Sequence, residues 1–367
     1  MAPVRAAPAA VPPKRRKTVE AQKACSKCHQ LKMLTAFYRR YGDNEAYRSV
    51  CITCFTAERN GRRHTQNGFI RELIASSRGN ANRRGHYGQH SLTVEAFHLS
   101  VKARQNRCYY LTLPLTAAPF SDWQLTLQRL DFGNYSMGNT VPASLETNNG
   151  AAWTRDKAVQ LMTHTDDPMS SSEVEEIRKS VLQRQRQPQR RAIIAGGMAR
   201  CFECGQWKAL ERMATCRKTV CQDCDAERRR NYRGTWAGAF SELLSSARKS
   251  TAARVKVGRT NQVFSVTIAD LVDMLVSQRG VCSYSGKRMT PSGDWQASLE
   301  RLSVDQGYIR SNCVLVIREL NGSDQRGRGH GDGSGGWSQS KYNFARENFD
   351  PSYYDRCPAP PGDMPWK

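Results

Sequence analysis

This 367-residue chain contains an internal repeat, because segments of its first half recur in the same order in its second half. The two copies align at an offset of about 170 to 176 residues, since Phe69 corresponds to Phe240 and Cys25 to Cys201. A period this long indicates duplicated domains, because solenoid repeats run to only about 20 to 50 residues. The chain is therefore expected to fold one unit twice. Its matched segments are CSKC with CFEC, CITC with CQDC, FIRELIASSR with FSELLSSAR, SLTVEAF with SVTIADL, SDWQLTLQRLDFGNYSMGN with GDWQASLERLSVDQGYIRSN, and WTRDK with WSQSK.

Eight of the thirteen cysteines fall in four C-x-x-C pairs, two in each copy. Both sulfurs of such a pair can face one tetrahedral ion, and a second pair completes four thiolates, a set that zinc prefers. A disulfide framework is the alternative. Four thiolates leave no open coordination position, so we expect two structural zinc ions. The predicted ligands are Cys25, Cys28, Cys51 and Cys54 in the first copy, and Cys201, Cys204, Cys221 and Cys224 in the second.

The charge of the chain points to a polyanionic partner. Lys and Arg total 56 against 33 Asp and Glu, a formal net charge of +23, which favours nucleic acid through counterion release. Charge does not separate DNA from RNA, and a solvated basic surface is the alternative. Basic residues follow each cysteine site, and the candidates for phosphate contact are Arg62, Arg63, Arg228, Arg229 and Arg230, with Arg129 in the first copy.

No segment has the apolar run that a membrane span or a signal peptide needs, so we expect an intracellular protein with no membrane partner. Residues 1–20 are Ala/Pro-rich and end in PPKRRK, which predicts a disordered basic arm. That cluster is either a nuclear import signal or a polyanion-binding tail. Otherwise, the cytoplasm is expected.

The domain prediction follows the repeat. The first zinc-knuckle copy spans 21–160, a helical basic linker spans 161–197, the second copy spans 198–350, and a tail spans 351–367. The linker begins with serines and acids that can cap a helix. Cys216, five residues before Cys221, is read as a spare thiol with a substitute zinc ligand as the alternative.

Apolar residues place a helix and a hairpin in each copy. Phe69, Leu73 and Ile74, like their counterparts from Phe240, share one helical face and predict core packing. Farther on, LTLQRLD with NTVPASLE and SLERLSV with NCVLVIREL each predict two short strands that run into a helix. Trp123 and Trp295 are expected to anchor these hairpins, with base stacking as the alternative.

These motifs together resemble the HNH endonucleases, also called the His-Me finger or ββα-metal superfamily. The residues that carry the resemblance are CSYSG from Cys282, LERL from Leu299, Gly307-Tyr308, Asn312 before an apolar strand, Asn321, and WSQSK from Trp337. The zinc-ribbon-bearing members from phages, large DNA viruses and introns are the most similar. The resemblance implies an α+β fold of two tandem copies, each a small zinc knuckle, a helix and a ββα-metal finger.

The family's chemistry implies roles for four residues of the second copy. Glu300 on the first strand and Asn321 on the following helix would hold one Mg²⁺ or Mn²⁺, Asn312 would brace the loop, and Arg301 occupies the general-base position. Oxygen ligands suit these hard cations. Arginine is always protonated and only donates, so Arg301 cannot accept a proton, although it could grip a phosphate bidentately.

The first copy departs further from the family pattern. It keeps Arg129, Asp131, Asn139 and Asn148 but has Gln128 where the second copy has Glu300, and a neutral amide weakens a site for a hard cation. The second copy in turn has Ser303 where the family usually has Asp. We therefore expect a divalent-metal-dependent endonuclease that cuts DNA from the second copy, with the first aiding binding. The alternative is a catalytically inactive, zinc-containing descendant that binds DNA or RNA.

Overall fold

The computed structural model describes residues 21–39, 46–83, 90–131, 133–183, 191–215, 218–256, 258, 263–322 and 336–357. The predicted arm 1–20, with its PPKRRK cluster, lies outside the described residues, as does Cys216. The fold is mixed α+β, as the sequence predicts, with small sheets. None of the helices within the described residues is long and apolar enough to span a bilayer. By its internal contacts the chain divides into two compact units, Met1–Gly68 and Phe69–Lys367.

The smaller unit consists of two antiparallel hairpins and one helix. Its apolar core is Cys25, Phe37 and Cys51, with a few partly buried neighbours. Such a core is too small to hold a fold alone, which is why small domains of this kind depend on a metal or another staple. The elements are β1 (Gln22–Ala24), β2 (Leu31–Met33), β3 (Phe37–Arg39), β4 (Tyr47–Cys51) and α1 (Ile52–Arg63).

The remainder of the first copy packs a helix on a hairpin. Phe69 and Ile74, from the apolar face that the sequence predicts, are buried against Leu125 and Leu127 of the first strand. The Thr93 hydroxyl accepts a hydrogen bond from Ala96 N and caps a second helix. The elements are α2 (Gln66–Arg83), α3 (Val94–Ala103), β5 (Leu125–Arg129), β6 (Thr140–Ser144) and α4 (Arg155–Thr163).

The second copy follows one further helix. A three-stranded sheet of order β7-β8-β9 carries its knuckle, and a hairpin follows two long helices. The elements are α5 (Ser171–Leu182), β7 (Ile194–Ala195), β8 (Met198–Arg200), β9 (Trp207–Ala209), α6 (Gln222–Arg233), α7 (Trp236–Lys256), α8 (Ile268–Ser277), β10 (Ala297–Arg301), β11 (Cys313–Ile317), α9 (Gln339–Glu347) and α10 (Tyr353–Arg356).

The segment predicted as a linker contains a packed helix. α5 starts with the cap that its serines and acids predict: Ser170 Oγ accepts from Glu173 N, and Glu173 Oε2 accepts from Ser170 N. Val174 and Val181 are buried, and α5 contacts α7 and α8. Val174 and Val181 are two helical turns apart and face the same side, and they pack α5 against the second copy. Residues 184–190 of this segment lie outside the described part.

The two hairpins repeat each other closely. β5 pairs with β6 and β10 with β11, both antiparallel and over five residue pairs, so Gln128 and Glu300 occupy the same place. Trp123 and Trp295, ahead of these hairpins, both adopt a left-handed backbone with φ of +53° and +60°. Such angles are uncommon for residues other than glycine, so their recurrence shows that the duplication extends to local backbone geometry.

The helices after the hairpins are exchanged between the copies. Lys157 of the first copy lies on α4, and its Nζ is 3.2 Å from Glu319 Oε1 of the second. Lys341 of the second copy lies on α9, and its Nζ is 2.7 Å from Glu146 Oε1 of the first. Both glutamates are buried. The helix of each copy therefore packs on the hairpin of the other copy, and the two sets of contacts are reciprocal.

Aromatic residues reinforce this exchange. The Trp153 and Trp337 rings, from the matched WTRDK and WSQSK segments, stack with centroids 6.4 Å apart and planes 18° apart. Trp337 Nε1 donates to the carbonyl oxygen of Glu146, and Tyr342 Oη donates to that of Leu161, both across the copies. A single large core includes buried residues of both hairpins and both helices. The larger unit is thus one folded body built from both copies.

We predict that Lys157→Met lowers the free energy of unfolding by about 3 kcal/mol, because it leaves buried Glu319 without its cation. Urea denaturation of the full-length protein measures this. Combining it with Glu319→Leu should cost less than the sum of the two single changes. Lys102→Met, an exposed control, should stay within about 0.5 kcal/mol of wild type. Additive effects in the double variant would contradict a direct pairing.

Candidate functional site

Two groups of four cysteines have the geometry of metal sites. Within each group the four sulfurs all lie within 4.8 Å of one another. Four thiolates around zinc with bonds of about 2.3 Å are separated by about 3.8 Å, so either group can close on one ion with small adjustments. Both groups are compatible with structural zinc, as the sequence predicts. The members are Cys25, Cys28, Cys51 and Cys54, and Cys201, Cys204, Cys221 and Cys224.

Each site joins a tight turn to a helix start. Gly205 N donates to the carbonyl oxygen of Cys201, and His29 N does the same to that of Cys25. Both turn residues have positive φ, +72° for Gly205 and +58° for His29, which brings the first two sulfurs to one side. Cys51 and Cys221 immediately precede α1 and α6, so the second pair of sulfurs lies at a helix N-terminus, where negative charge is stabilised.

The thiol environment fits a metal that binds thiolates. The backbone N–H of Cys51 donates to the Cys25 sulfur at 3.2 Å and lowers the pKa of Cys25 to about 5. Burial raises the pKa of Cys201, but backbone N–H groups of Cys204 and Cys221 outweigh it and lower that pKa to about 6. Cys25 and Cys201 are therefore thiols that ionise readily, one in each site. Hydrogen bonds with Cys51 and Cys221 raise the pKa of Cys54 and Cys224 to about 12, so zinc would have to displace their protons on binding.

The basic helices beside the two sites differ in how their arginines are engaged. On α1, Arg62 lies 3.4 Å from Glu58, and both side chains are largely exposed. On α6, Arg228 and Arg229 both bind the carboxylate of Asp225 at 2.6 and 2.7 Å, which aligns two exposed guanidinium groups on one face. Arg230 is exposed and Arg63 is half-buried. An array of this kind presents several cationic groups to a polyanion.

The hairpin β10–β11 places Glu300 and Arg301 on opposite faces of one strand. Successive strand residues alternate in direction, so Glu300 shares its face with Ser298, and Arg301 shares its face with Leu299. Both Glu300 and Arg301 are only 2% exposed. In the first copy, Gln128 and Arg129 are half-buried, and the Gln128 amide donates to the carbonyl oxygen of Arg129.

Arg301 braces the turn that joins the two strands. Its Nη1 donates to the carbonyl oxygens of Val304 and Gln306 at 3.2 and 3.1 Å, and the guanidinium lies 5.2 Å from the centre of the Tyr308 ring. Arg129 does the same in the first copy, where it donates to Gly133 O and lies over Tyr135. A bidentate phosphate grip by Arg301 would have to give up these bonds.

Asn312 ties the two sides of the same turn together. Its Oδ1 accepts from Ser303 N at 2.8 Å, while its Nδ2 donates to the carbonyl oxygens of Ser303 and Gly307 at 3.0 Å each. In the first copy, Asn139 Oδ1 accepts from Asp131 N at 2.9 Å, and its Nδ2 donates to Asn134 O. One amide thus satisfies several turn groups in each copy, which suits the brace role that the family resemblance implies.

Asn321 is not on an α-helix, contrary to expectation. It follows a single 3-10 turn, Arg318–Leu320, and has extended backbone angles of φ −97° and ψ 96°. Among the described residues, the next α-helix is α9, which starts at Gln339, and residues 323–335 lie outside the described part. Gly322 and Gly336 approach so closely that a Cβ on either would lie 2.8 Å from the other's Cα. Glycine-rich sequence and this close approach interrupt the helix that the apolar pattern predicts.

The amide of Asn321 is nevertheless held against the first strand. Its Nδ2 donates to Ser298 Oγ at 2.8 Å and to the carbonyl oxygen of Leu299 at 3.1 Å. Because Ser298 and Glu300 share one strand face, Asn321 and Glu300 lie on the same side of the hairpin. Because Nδ2 makes both of these bonds, the Oδ1 of the same planar amide points away from them. Asn148 repeats this contact in the first copy, donating to Leu127 O at 3.3 Å.

Asn321 lines an open cleft of about 530 Å³. Ser246 and Ser250 of α7 contribute small polar side chains to it, and Asn148 to Gly150 of the first copy form one wall. Arg318 also lines the cleft and is exposed. Sequence reasoning missed Arg318. The signal that could have identified it is the copy comparison, since the matching position in the first copy is Leu145.

The two four-cysteine sets are the groups of three or more His, Cys, Asp or Glu side chains that could hold a metal within the described residues. Glu300 lies on the strand to which the Asn321 amide bonds, so the second copy has one carboxylate and one amide on the same side of its hairpin. One carboxylate with an amide oxygen can hold Mg²⁺, which keeps several of its own waters and takes further oxygens from substrate phosphate. The first copy, with Gln128 and Asn148, offers amides only. The asymmetry between the copies that the sequence predicts is thus retained in matched geometry.

No protein-family model, curated protein or solved structure matches this chain.

We predict two zinc ions per chain, measurable by elemental analysis of the purified protein. Cys204→Ala should remove one of them and leave the other, because each site uses only its own four sulfurs. Cys357→Ala, a change at a buried thiol outside both sites, should retain two. A wild-type protein with fewer than two tightly bound zinc ions, or a Cys204→Ala variant that retains both, would contradict the assignment.

Proposed function

We propose that this protein is a divalent-metal-dependent endonuclease of the HNH type that hydrolyses DNA phosphodiester bonds from its second copy. The observation that supports the proposal is that Asn321, which lines an open cleft, hydrogen-bonds to the strand that carries Glu300, while the matching positions of the first copy are Asn148 and Gln128. The two zinc knuckles, the basic helices and the first copy would bind the nucleic acid. Each copy is proposed to be a knuckle, a helix and a ββα-metal finger, with the last helix exchanged between copies.

In this proposal, Glu300 and the Oδ1 of Asn321 would hold one Mg²⁺ or Mn²⁺. When bound, such an ion can bridge the scissile phosphate and stabilise charge on the departing oxygen. Asn312 and Arg301 fix the turn so that Glu300 and Asn321 keep their relative positions. The exposed arginines of α6 would draw the phosphate backbone toward the protein in a salt-dependent manner.

A second candidate function is nucleic-acid binding without cleavage. It is favoured by the burial of Glu300, which is 2% exposed, and by the engagement of Arg301 with turn carbonyls, which leaves no proton acceptor at the general-base position. A protein of this kind would use the same basic surfaces and zinc sites. It would bind DNA or RNA without a requirement for divalent ions.

We predict that Glu300→Gln reduces cleavage by about 100-fold, because it gives the second copy the neutral amide of the first and removes the charged ligand. A plasmid-nicking assay with Mg²⁺ or Mn²⁺ measures this, alongside duplex binding in EDTA, which should be unchanged. Glu347→Gln, an exposed glutamate of α9, controls for the loss of one negative charge. The substitution keeps the shape of the buried side chain, so the variant is expected to fold.

The outcomes separate the two candidates. Equal cleavage by wild type and Glu300→Gln would refute the assigned site. An absence of cleavage by wild type on duplex, single-stranded and branched DNA and on RNA, together with binding that weakens as salt rises, would favour the non-catalytic protein.

A further inference from the structure

Arg318 is an exposed cation placed within the cleft of the second copy. Arg318 N donates a hydrogen bond to the carbonyl oxygen of Gln296 at 2.7 Å, which fixes the backbone position from which the arginine side chain extends. Across the described part of the chain, its guanidinium has no ion pair or hydrogen bond to a protein group. By contrast, Arg129, Arg228, Arg229 and Arg301 all contact carbonyl or carboxylate oxygens.

The 3-10 turn directs Arg318 and Asn321 to the same side. Side chains at i and i+3 eclipse in a 3-10 turn, and Asn321 N donates to the carbonyl oxygen of Arg318 at 3.2 Å. Both residues line the same cleft. The hydrogen-bonded turn therefore places the guanidinium and the amide along the same cleft.

The first copy forms the wall that Arg318 lies against. A Cβ at Gly150 would lie 3.3 Å from Arg318 Nη2, so the glycine and the guanidinium are in close contact. Asn149 fixes this wall, because its Nδ2 donates to the carbonyl oxygen of Glu319 at 2.8 Å and its Oδ1 accepts from Ala151 N. The wall thus supports the guanidinium without neutralising it.

The copy comparison supports a role at the site. Leu145 stands in the first copy where the second has Arg318, just as Gln128 stands where the second has Glu300. The same copy thus keeps both the carboxylate and the arginine. The nearby carboxylate of Glu319 is buried and paired with Lys157, so it does not compete for this guanidinium.

We propose that Arg318 binds a backbone phosphate of the nucleic acid in this cleft, next to Asn321, and that the first copy's residues 149 and 150 complete this binding site. The proposal deepens the endonuclease function and rests on it for the identity of the substrate. A guanidinium presents paired N–H donors that match two phosphate oxygens, which suits an arginine that protein groups leave available. Arg318 thereby supplies the phosphate contact that the sequence assigned to Arg301.

The first test measures binding without cleavage, by fluorescence anisotropy of a labelled DNA duplex in EDTA. Arg318→Ala should raise Kd by about 10-fold and reduce the salt slope of log Kd by about 1. Arg310→Ala removes the same charge from an exposed arginine at the other end of β11, outside the cleft. It should have a much smaller effect. Equal effects of the two variants would overturn the proposal.

The second test leaves Arg318 unchanged. Gly150→Asp places a carboxylate against the guanidinium, and it should weaken binding as much as Arg318→Ala does. Gly138→Asp makes the same charge change where a new side chain meets nothing within 4 Å, and it should bind more tightly than Gly150→Asp. Indistinguishable binding by the two aspartate variants would count against a cleft arginine that contacts phosphate.

These results are separable from a failure of the endonuclease assignment. A wild-type protein that binds DNA but never cuts it ends that assignment, whereas an Arg318-specific loss of binding would still establish the phosphate site. A wild-type protein that cuts, with Arg318→Ala no different from Arg310→Ala in Kd, in salt slope and in KM, would end the Arg318 proposal alone.

Discussion

The larger unit depends on two reciprocal lysine–glutamate pairs, Lys157 with Glu319 and Lys341 with Glu146. Removing two charges from water costs several kcal/mol per ion, so such pairs add little net stability over apolar residues of similar size. A single lysine placed against the wrong surface, however, would leave a buried carboxylate unpaired. We infer that the pairs select which helix lies on which hairpin, while burial of the surrounding apolar side chains supplies the free energy.

The exchange also makes the first copy part of the second copy's cleft. Because α4 docks on the second hairpin, the chain that leads into it, residues 148–150, passes along the cleft wall. Asn149 bonds to the backbone beside Arg318, and Gly150 touches its guanidinium. The first copy, which has Gln128 where the second has Glu300, therefore helps to form the cleft that Asn321 and Arg318 line.

Much of the local structure was predictable because it depends on short-range patterns. The C-x-x-C spacing identified two four-cysteine clusters that could hold zinc, the serine and acid cap located the start of α5, and the apolar faces of α2 and α7 pack against the core as expected. The contacts that Arg301 and Asn321 make were harder to predict from the sequence. Burial of a guanidinium against turn carbonyls, and the replacement of a helix by a 3-10 turn, depend on contacts that spacing does not contain. Arg318 was missed because its counterpart is a leucine, so no shared motif marks it.

Residue type and spacing alone establish the repeat, the two four-cysteine sets, the basic charge and the difference between Gln128 and Glu300. Three other features could be seen only in the folded chain: each helix packs on the other copy's hairpin, the predicted linker contains a packed helix, and an arginine of one copy contacts a glycine of the other. Those outcomes depend on which buried charges and apolar surfaces meet in three dimensions. The two copies carry hairpins of the same register, so each helix has two similar surfaces on which it could pack, and the contacts made in the folded chain decide between them.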